Sequence, residues 1–202
     1  MHPTYARHAV TKIDLLIGLF VVALLILLVV PSVSSSGRRA EQRAICLNNL
    51  AAVGTALTAY LQDSDQTWPC VEKLRSLPIH DPPWPTLPKI LERYTAGRSE
   101  IFRCPADQRE LSSDSPLFAQ FGGSTTWWAT EGTSYEWLMG EAYCGRKVGA
   151  ESLSSAKGFG MGRADMPLIS EFEPFHEGDG GGSFNTLNAD LTPRTARDNV
   201  KR

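Results

Sequence analysis

The sequence predicts an α+β protein, with a long N-terminal helix, half transmembrane and half amphipathic stalk, packed on a small antiparallel β-sheet head. Three observations predict it. Residues 15–30 read LLIGLFVVALLILLVV, sixteen apolar or glycine positions without a charge. Residues 47–61 then repeat apolar side chains at three- and four-residue steps. Short β-prone segments, TSYEWLM, PLISEF and SFNTL, follow late in the chain. Short strands after a long helix point to an α+β layer with a small sheet.

The apolar run comes first. At 1.5 Å per residue, sixteen residues span about 24 Å, just under the roughly 30 Å hydrocarbon core. Val10 and Ile13 before it, and Pro31 and Val33 after it, extend the span. A buried soluble helix of this length normally keeps a polar face, and this run has none. Membrane insertion leaves two readings. One is a secretory signal cut among the small residues 32–37. The other is a retained anchor. Asp14 at the front edge favours retention, because a carboxylate in lipid costs up to about 3 kcal/mol and marks a function. An Asp at the interface, outside the lipid, is the plainer alternative. Gly18 and Ala23 offer small surfaces for close helix contact, though both are ordinary in membrane helices.

The stalk is the second element. Leu47, Leu50, Gly54, Leu57 and Leu61 form the stripe, and Cys46, Val53 and Tyr60 widen it. Gln42, Asn48, Asn49, Thr55 and Thr58 supply the polar complement. No strong stop signal separates stalk and apolar run, and Pro31 is the expected kink. If continuous, the 52 residues from Val10 to Leu61 would reach about 78 Å.

Charge narrows the function. Twenty basic against 22 acidic side chains give −2, which argues against a nucleic-acid partner. Residues 1–45 hold five basic and two acidic groups, whereas the remainder holds 15 and 20. An acidic body therefore follows a basic N-terminal segment.

The body opens with prolines. Pro69, Pro78, Pro82, Pro83, Pro85, Pro88 and Pro105 all fall within residues 63–107, and Pro82, Pro83 and Pro85 make IHDPPWP a stiff surface loop. LPKILERYT predicts a short helix starting near Pro88, turning Leu87, Ile90, Leu91 and Tyr94 inward and ending at Gly97. IFRC is expected as a strand or its edge, STTWWAT as a β-prone stretch, and residues 140–162 as mostly loop. HEGDGGG separates the last two expected strands.

Cys46, Cys70, Cys104 and Cys144 permit two disulfides in three connectivities, and the absence of CxxC argues against a zinc cluster or thioredoxin-like site. Trp68, Trp84, Trp127, Trp128 and Trp137 suit either a sugar platform or ordinary packing. His176 with Glu177, Asp179 and Asp190 is the one candidate metal cluster, its oxygens suiting calcium better than zinc. A solvated glycine-rich turn explains the same residues. No hydrolase elbow, P-loop or zinc-hydrolase signature is present, and KGFGMGR lacks the setting of a nucleotide loop. The expectation is a non-enzyme without a cofactor.

The N-terminus, MHPTYARHA followed by VTKIDLLIGLFVV, resembles a type IV prepilin or a type II secretion pseudopilin. Asp14 stands where that family has its glutamate at the fifth mature position, Ala9 where glycine precedes the cut, Lys12 where an apolar residue is common, and Pro31 where many pilins carry proline. RAICLNNLAAVGTALTAYLQDSDQTWP, IFRCPAD, TSYEW and PLISEFEPFHEGDGGGSFNTLNAD are similar, in order, to segments of planctomycete-type prepilins. His176, Asn185 and Asp190 match the closing motif, while Leu191 and Thr192 replace its usual Gly and His. These segments touch roughly half the chain.

The resemblance implies a pilin-like fold with a leader at 1–9, a transmembrane half-helix at 10–36, an amphipathic half at 37–62 and a periplasmic head at 63–202. It implies a pseudopilin or minor pilin, anchored once in the inner membrane with its N-terminus cytoplasmic. A prepilin peptidase would cut between Ala9 and Val10 and commonly methylates the new amine. Asp14 would pair with a neighbouring subunit's terminal amine and, with Pro31, serve assembly. Implied partners are that peptidase, like subunits and other pseudopilins, and an inner-membrane assembly platform. The resemblance also implies Cys46–Cys104 and Cys70–Cys144 pairing, since the family-like segments hold the first two. Some pseudopilins bind calcium in the head, but their ligand pattern is not recognisable here. Two other readings compete: a tethered or secreted carbohydrate-binding module using the tryptophans, and a secreted enzyme built around Cys104 or His176.

Overall fold

A computed structural model describes residues 12–29, 35–108, 126–149, 166–178 and 181–197. Ala9, Val10, Pro31 and Asp179 lie outside the described residues. The chain divides into two compact units, residues 1–40 and 41–202.

The first unit contains helix α1, Lys12–Val29. Its 18 residues give about 27 Å of rise, close to a hydrocarbon core. Asp14 lies in its first turn. Ile13, Leu15, Leu16, Ile17, Leu19 and Phe20 are all 57–67 % exposed, although water would disfavour that surface. Apolar side chains on every face leave no polar stripe to point at water.

Helix α2, Ser35–Asp63, begins in the first unit and runs through the second. Its Gly37–Asp63 part is long and apolar enough to cross a bilayer. It is nevertheless a core helix, because Cys46, Leu50, Val53 and Leu57 are fully buried within the second unit and Leu61 nearly so. The expected stripe is therefore real, with Cys46 at its heart and Leu47 only half-buried. The junction at residues 30–34 lies outside the described residues.

Beyond α2, helix α3 spans Leu87–Leu91, with Pro88 in its first turn and Leu87 and Leu91 buried. A 3₁₀ turn, Glu92–Tyr94, continues it, and Gly97 follows at φ +76°. The segment expected as a strand at IFRC is instead a 3₁₀ turn, Ser99–Phe102. Ile101 and Phe102 are both buried. Consecutive residues of a strand face opposite sides, whereas a tight turn can bring both to one core.

STTWWAT also departs from its β propensity. Trp127–Glu131 forms helix α4, capped by Thr126, whose hydroxyl accepts the Ala129 N–H at 3.2 Å. The Asp107 carboxylate accepts the Trp127 and Trp128 N–H groups at 3.0 and 2.8 Å. Satisfying these first-turn donors outweighs the local preference.

Among the described residues, five antiparallel strands follow: β1 Tyr135–Trp137, β2 Pro167–Glu171, β3 His176–Gly178, β4 Gly181–Asn188 and β5 Pro193–Arg197. β4 is the hub. Ser183 pairs with His176 of β3 and with Arg197 of β5, while Thr186 pairs with Ser170 of β2 and Arg194 of β5. β2 and β3 therefore share one edge of β4, and β5 takes the other. HEGDGGG is thus partly strand, and PRTAR adds one the sequence reading missed. Gly54 lets α2 approach β4, since a Cβ there would lie 3.1 Å from a Leu187 methyl and 3.3 Å from the Leu191 carbonyl.

Candidate functional site

Conspicuous polar residues of the sequence converge in one seam between α2 and the sheet, buried at its centre and open at its α2 rim. Cys46 of α2 and Cys104, just after the 3₁₀ turn, form a disulfide. Asn49 Nδ2 donates to the Arg103 carbonyl at 2.8 Å, and Gln42 Nε2 to that of Pro105 at 3.4 Å. Asp107 also accepts the Ser134 hydroxyl at 2.8 Å, and Ser134 Oγ in turn accepts the Cys104 N–H at 3.0 Å. RAICLNN, CPAD and TSY thus meet through one chain of hydrogen bonds.

The closing motif joins the same seam. Glu171, 1 % exposed, sits where β4's edge passes from β3 to β2. Its carboxylate accepts the Asn185 N–H at 2.8 Å and Asn185 Nδ2 at 3.1 Å. It also meets His176 Nε2 at 3.1 Å. The side chain thereby replaces the strand missing at that notch. Arg43 Nη2 donates to Ser183 Oγ at 3.1 Å, and Ser183 Oγ donates to the His176 carbonyl at 2.6 Å. Burial pushes the Tyr135 hydroxyl pKa up, and the Glu171 charge adds to that.

Cys46, Cys104, Glu171 and His176 place their ligand atoms within 4.8 Å of one another. Both sulfurs are consumed by the disulfide, so the quartet lacks the two thiolates a zinc site would use. It is not a thiol-catalytic arrangement either. His176 Nε2 contacts both Cys104 Sγ, at 3.4 Å, and Glu171, whereas a catalytic imidazole needs one nitrogen for each role. With Cys104 at 1 % and His176 at 3 % exposure, a substrate has no access.

The expected His176, Asp179 and Asp190 cluster fares differently. Asp190 lies in the turn after β4, seven residues beyond the Ser183 that faces His176, about 20 Å along the strand. There it accepts the Thr192 hydroxyl at 2.5 Å and Arg194 at 2.7 Å. The Thr192 hydroxyl lowers its pKa most, and the Thr192 N–H and Arg194 add to that against the opposing effect of burial. Glu177 is strand residue opposite Gly182.

The tryptophans form no coplanar exposed face among the described residues. Trp68 and Trp137 are buried and meet edge to face at 6.3 Å. Trp127 stacks on Phe172 at 4.3 Å, with its Nε1 donating to Glu173 at 3.0 Å. Trp84 stacks on His80 at 3.4 Å between ring centres.

That last pair borders a cleft of about 320 Å³ between the proline-rich loop and the 3₁₀ turn Glu141–Tyr143. Glu72, 3 % exposed, accepts His80 Nδ1–H at 2.9 Å and the Ile79 N–H at 3.2 Å. Burial alone would raise the Glu72 pKa, but the His80 hydrogen bond, the Ile79 N–H and the His80 charge hold it below its ordinary value. The Cys70–Cys144 disulfide ties the cleft's two walls together, two residues from Glu72 and three from Glu141. Trp68 and Arg146 reinforce the tie, the Trp68 N–H donating to the Arg146 carbonyl at 2.9 Å. No signal in the sequence joined Glu72, His80 and Glu141, which are brought together by this disulfide.

Comparison with protein-family models finds no matching family. Comparisons with curated proteins and with solved structures likewise find no match.

Proposed function

We propose that the protein is a structural subunit of the pseudopilin or minor-pilin kind, processed by a prepilin peptidase and assembled through α1 into a type II secretion or type IV pilus-like filament. One observation carries the reading: α1 exposes apolar side chains on every face and holds Asp14 in its first turn. Such a helix is unsuited to water but suited to lipid and to bundling with copies of itself. The head adds support, because the C-terminal part of α2 is its core element and two disulfides fit an oxidising compartment. The buried or ring-stacked tryptophans give the carbohydrate-platform reading no comparable support.

The N-terminus of the chain from native membranes tests this by mass spectrometry. A start at Val10, methylated or not, is expected. A start within residues 32–37 would identify an exported protein without an anchor and overturn the proposal.

A further inference from the structure

Among the described residues, the cleft holds an imidazole nitrogen that hydrogen bonding does not satisfy and a carboxylate that faces it. An ionised carboxylate only accepts, so whenever His80 is neutral the Glu72 contact places its proton on Nδ1 and leaves a lone pair on Nε2. The Nε2 atom is buried, and among the described residues nothing hydrogen-bonds to it. Glu141 Oε1 faces it at 3.6 Å, beyond hydrogen-bond reach, and this oxygen is also an electron-pair donor. Two donors of electron pairs facing each other define a place for a cation. Two ligands on a zinc ion with arms near 2.05 Å lie about 3.4 Å apart, close to the separation seen. The Glu72–His80 contact is also the support that metal-bound histidines commonly have, a carboxylate on the second ring nitrogen.

We propose that His80 Nε2 and Glu141 Oε1 are the protein ligands of a divalent transition-metal site of the zinc class, with Glu72 holding the imidazole in its metal-binding tautomer. Trp84, stacked on the His80 ring, and the Cys70–Cys144 disulfide fix the two walls. Lys73 lines the same cleft but is engaged with Glu136 at 3.7 Å. An imidazole nitrogen with a carboxylate oxygen selects zinc or copper over calcium. Two protein ligands leave the remaining positions open toward the cleft, for water or an oxygen-donor ligand. The site is therefore an exchangeable one on the head, and it is independent of how α1 assembles.

The test is zinc binding to the full chain in detergent, without an affinity tag, by metal analysis after dialysis and by competition with a chromophoric chelator. One zinc per chain is expected. His80→Ala should abolish binding and Glu141→Gln should weaken it at least tenfold. Glu72→Gln should weaken it by about 10- to 100-fold, as for other outer partners of metal-bound histidine. Removing two other histidines in a His2→Ala/His8→Ala chain should leave binding intact. Glu141 has a 66 % exposed side chain, so its substitution reads the site even if His80→Ala misfolds. No zinc retained by the wild type, or equal affinity in wild type and Glu141→Gln, would overturn the proposal. The latter is also the result expected if His80 is simply an imidazolium bridging two carboxylates.

Discussion

Glu171 fills a gap in the sheet for Asn185, accepting both its backbone N–H at 2.8 Å and its side-chain Nδ2 at 3.1 Å. Both residues are almost wholly buried, at 1 % and 0 % exposure. β3 pairs with β4 only as far as Ser183, and β2 takes over at Thr186, so on that edge of β4 the Asn185 N–H has no backbone partner, while β5 covers the other edge.

Glu171→Ala should therefore destabilise the head severely, by about 3–5 kcal/mol, because it leaves buried donors on Asn185 and His176 without an acceptor. Glu171→Gln keeps an acceptor oxygen and the shape, and should lose less. Chemical denaturation, followed by tryptophan fluorescence, orders the two. Equal stability of Glu171→Ala and wild type would show that water or a shifted strand satisfies the notch.

The sequence revealed the elements whose burial has a period and hid those whose conformation is set from outside. The α2 stripe was legible because Cys46, Leu50, Val53, Leu57 and Leu61 all turn one face inward. α3 was legible from Pro88 and Gly97, which bracket it and its 3₁₀ extension. α4 was not, because its first donors are satisfied by Asp107, some twenty residues away in sequence. β3 and β5 were hidden for a related reason. His-Glu-Gly and Pro-Arg-Thr-Ala-Arg have no alternating apolar face, and both become strands through the ladder that β4 offers. Likewise, the motif residues Cys46, Cys104, Asp107, Ser134 and Asn185 were visible as motifs, but their joining into one buried seam follows from the packing of α2 on the sheet. The cleft had no motif at all, since Glu72 and His80 lie in the irregular stretch before α3 and Glu141 in a 3₁₀ turn some sixty residues later.

Gly54 sets how closely α2 approaches β4. A side chain larger than methyl would meet Leu187, which is fully buried, and the rigid Leu191 carbonyl. Gly54→Ala gains helix propensity worth about 1 kcal/mol and spends it on a tight contact, so the expected change is small. Gly54→Leu must push the helix from the sheet and should destabilise by about 1–3 kcal/mol or more. Denaturant midpoints of the two variants test the contrast. A Gly54→Leu chain as stable as Gly54→Ala would mean that helix and sheet separate easily.

Asp190 gives a pH dependence whose sign follows from its hydrogen bonds. Its folded pKa lies below its ordinary value, chiefly through the Thr192 hydroxyl. The ionised form is therefore favoured by folding. Its contribution is fully present above the ordinary aspartate range and is lost as pH falls through the lower folded value. The stability of the wild type relative to Asp190→Asn should be constant from about pH 7 to 5 and shrink between about pH 4 and 2. Partial exposure of the Asp190–Arg194 pair makes the effect small and sensitive to salt. A difference that grows on acidification would contradict the direction argued for this carboxylate.

Asp14 is the residue on which the assembly proposal is most exposed. In the first turn of α1 it lies where a carboxylate favours the helix dipole, so its replacement by alanine should weaken that turn only slightly. If its main role is to meet a neighbouring subunit's terminal ammonium, Asp14→Ala should leave cleavage at Val10 and membrane insertion largely unchanged. Incorporation into filaments should instead fall by at least tenfold, because the neighbour's amine would then enter lipid without its counter-charge. Asp14→Glu, which restores the carboxylate one methylene further out, should recover most of it. The measurement is the ratio of the chain in sheared or pelleted filaments to that in membranes, with the N-terminus of each pool read by mass spectrometry. Full incorporation of Asp14→Ala would remove the charge pair from the mechanism and leave apolar packing of α1 as the driving contact. A failure of cleavage would place Asp14 in recognition by the peptidase instead.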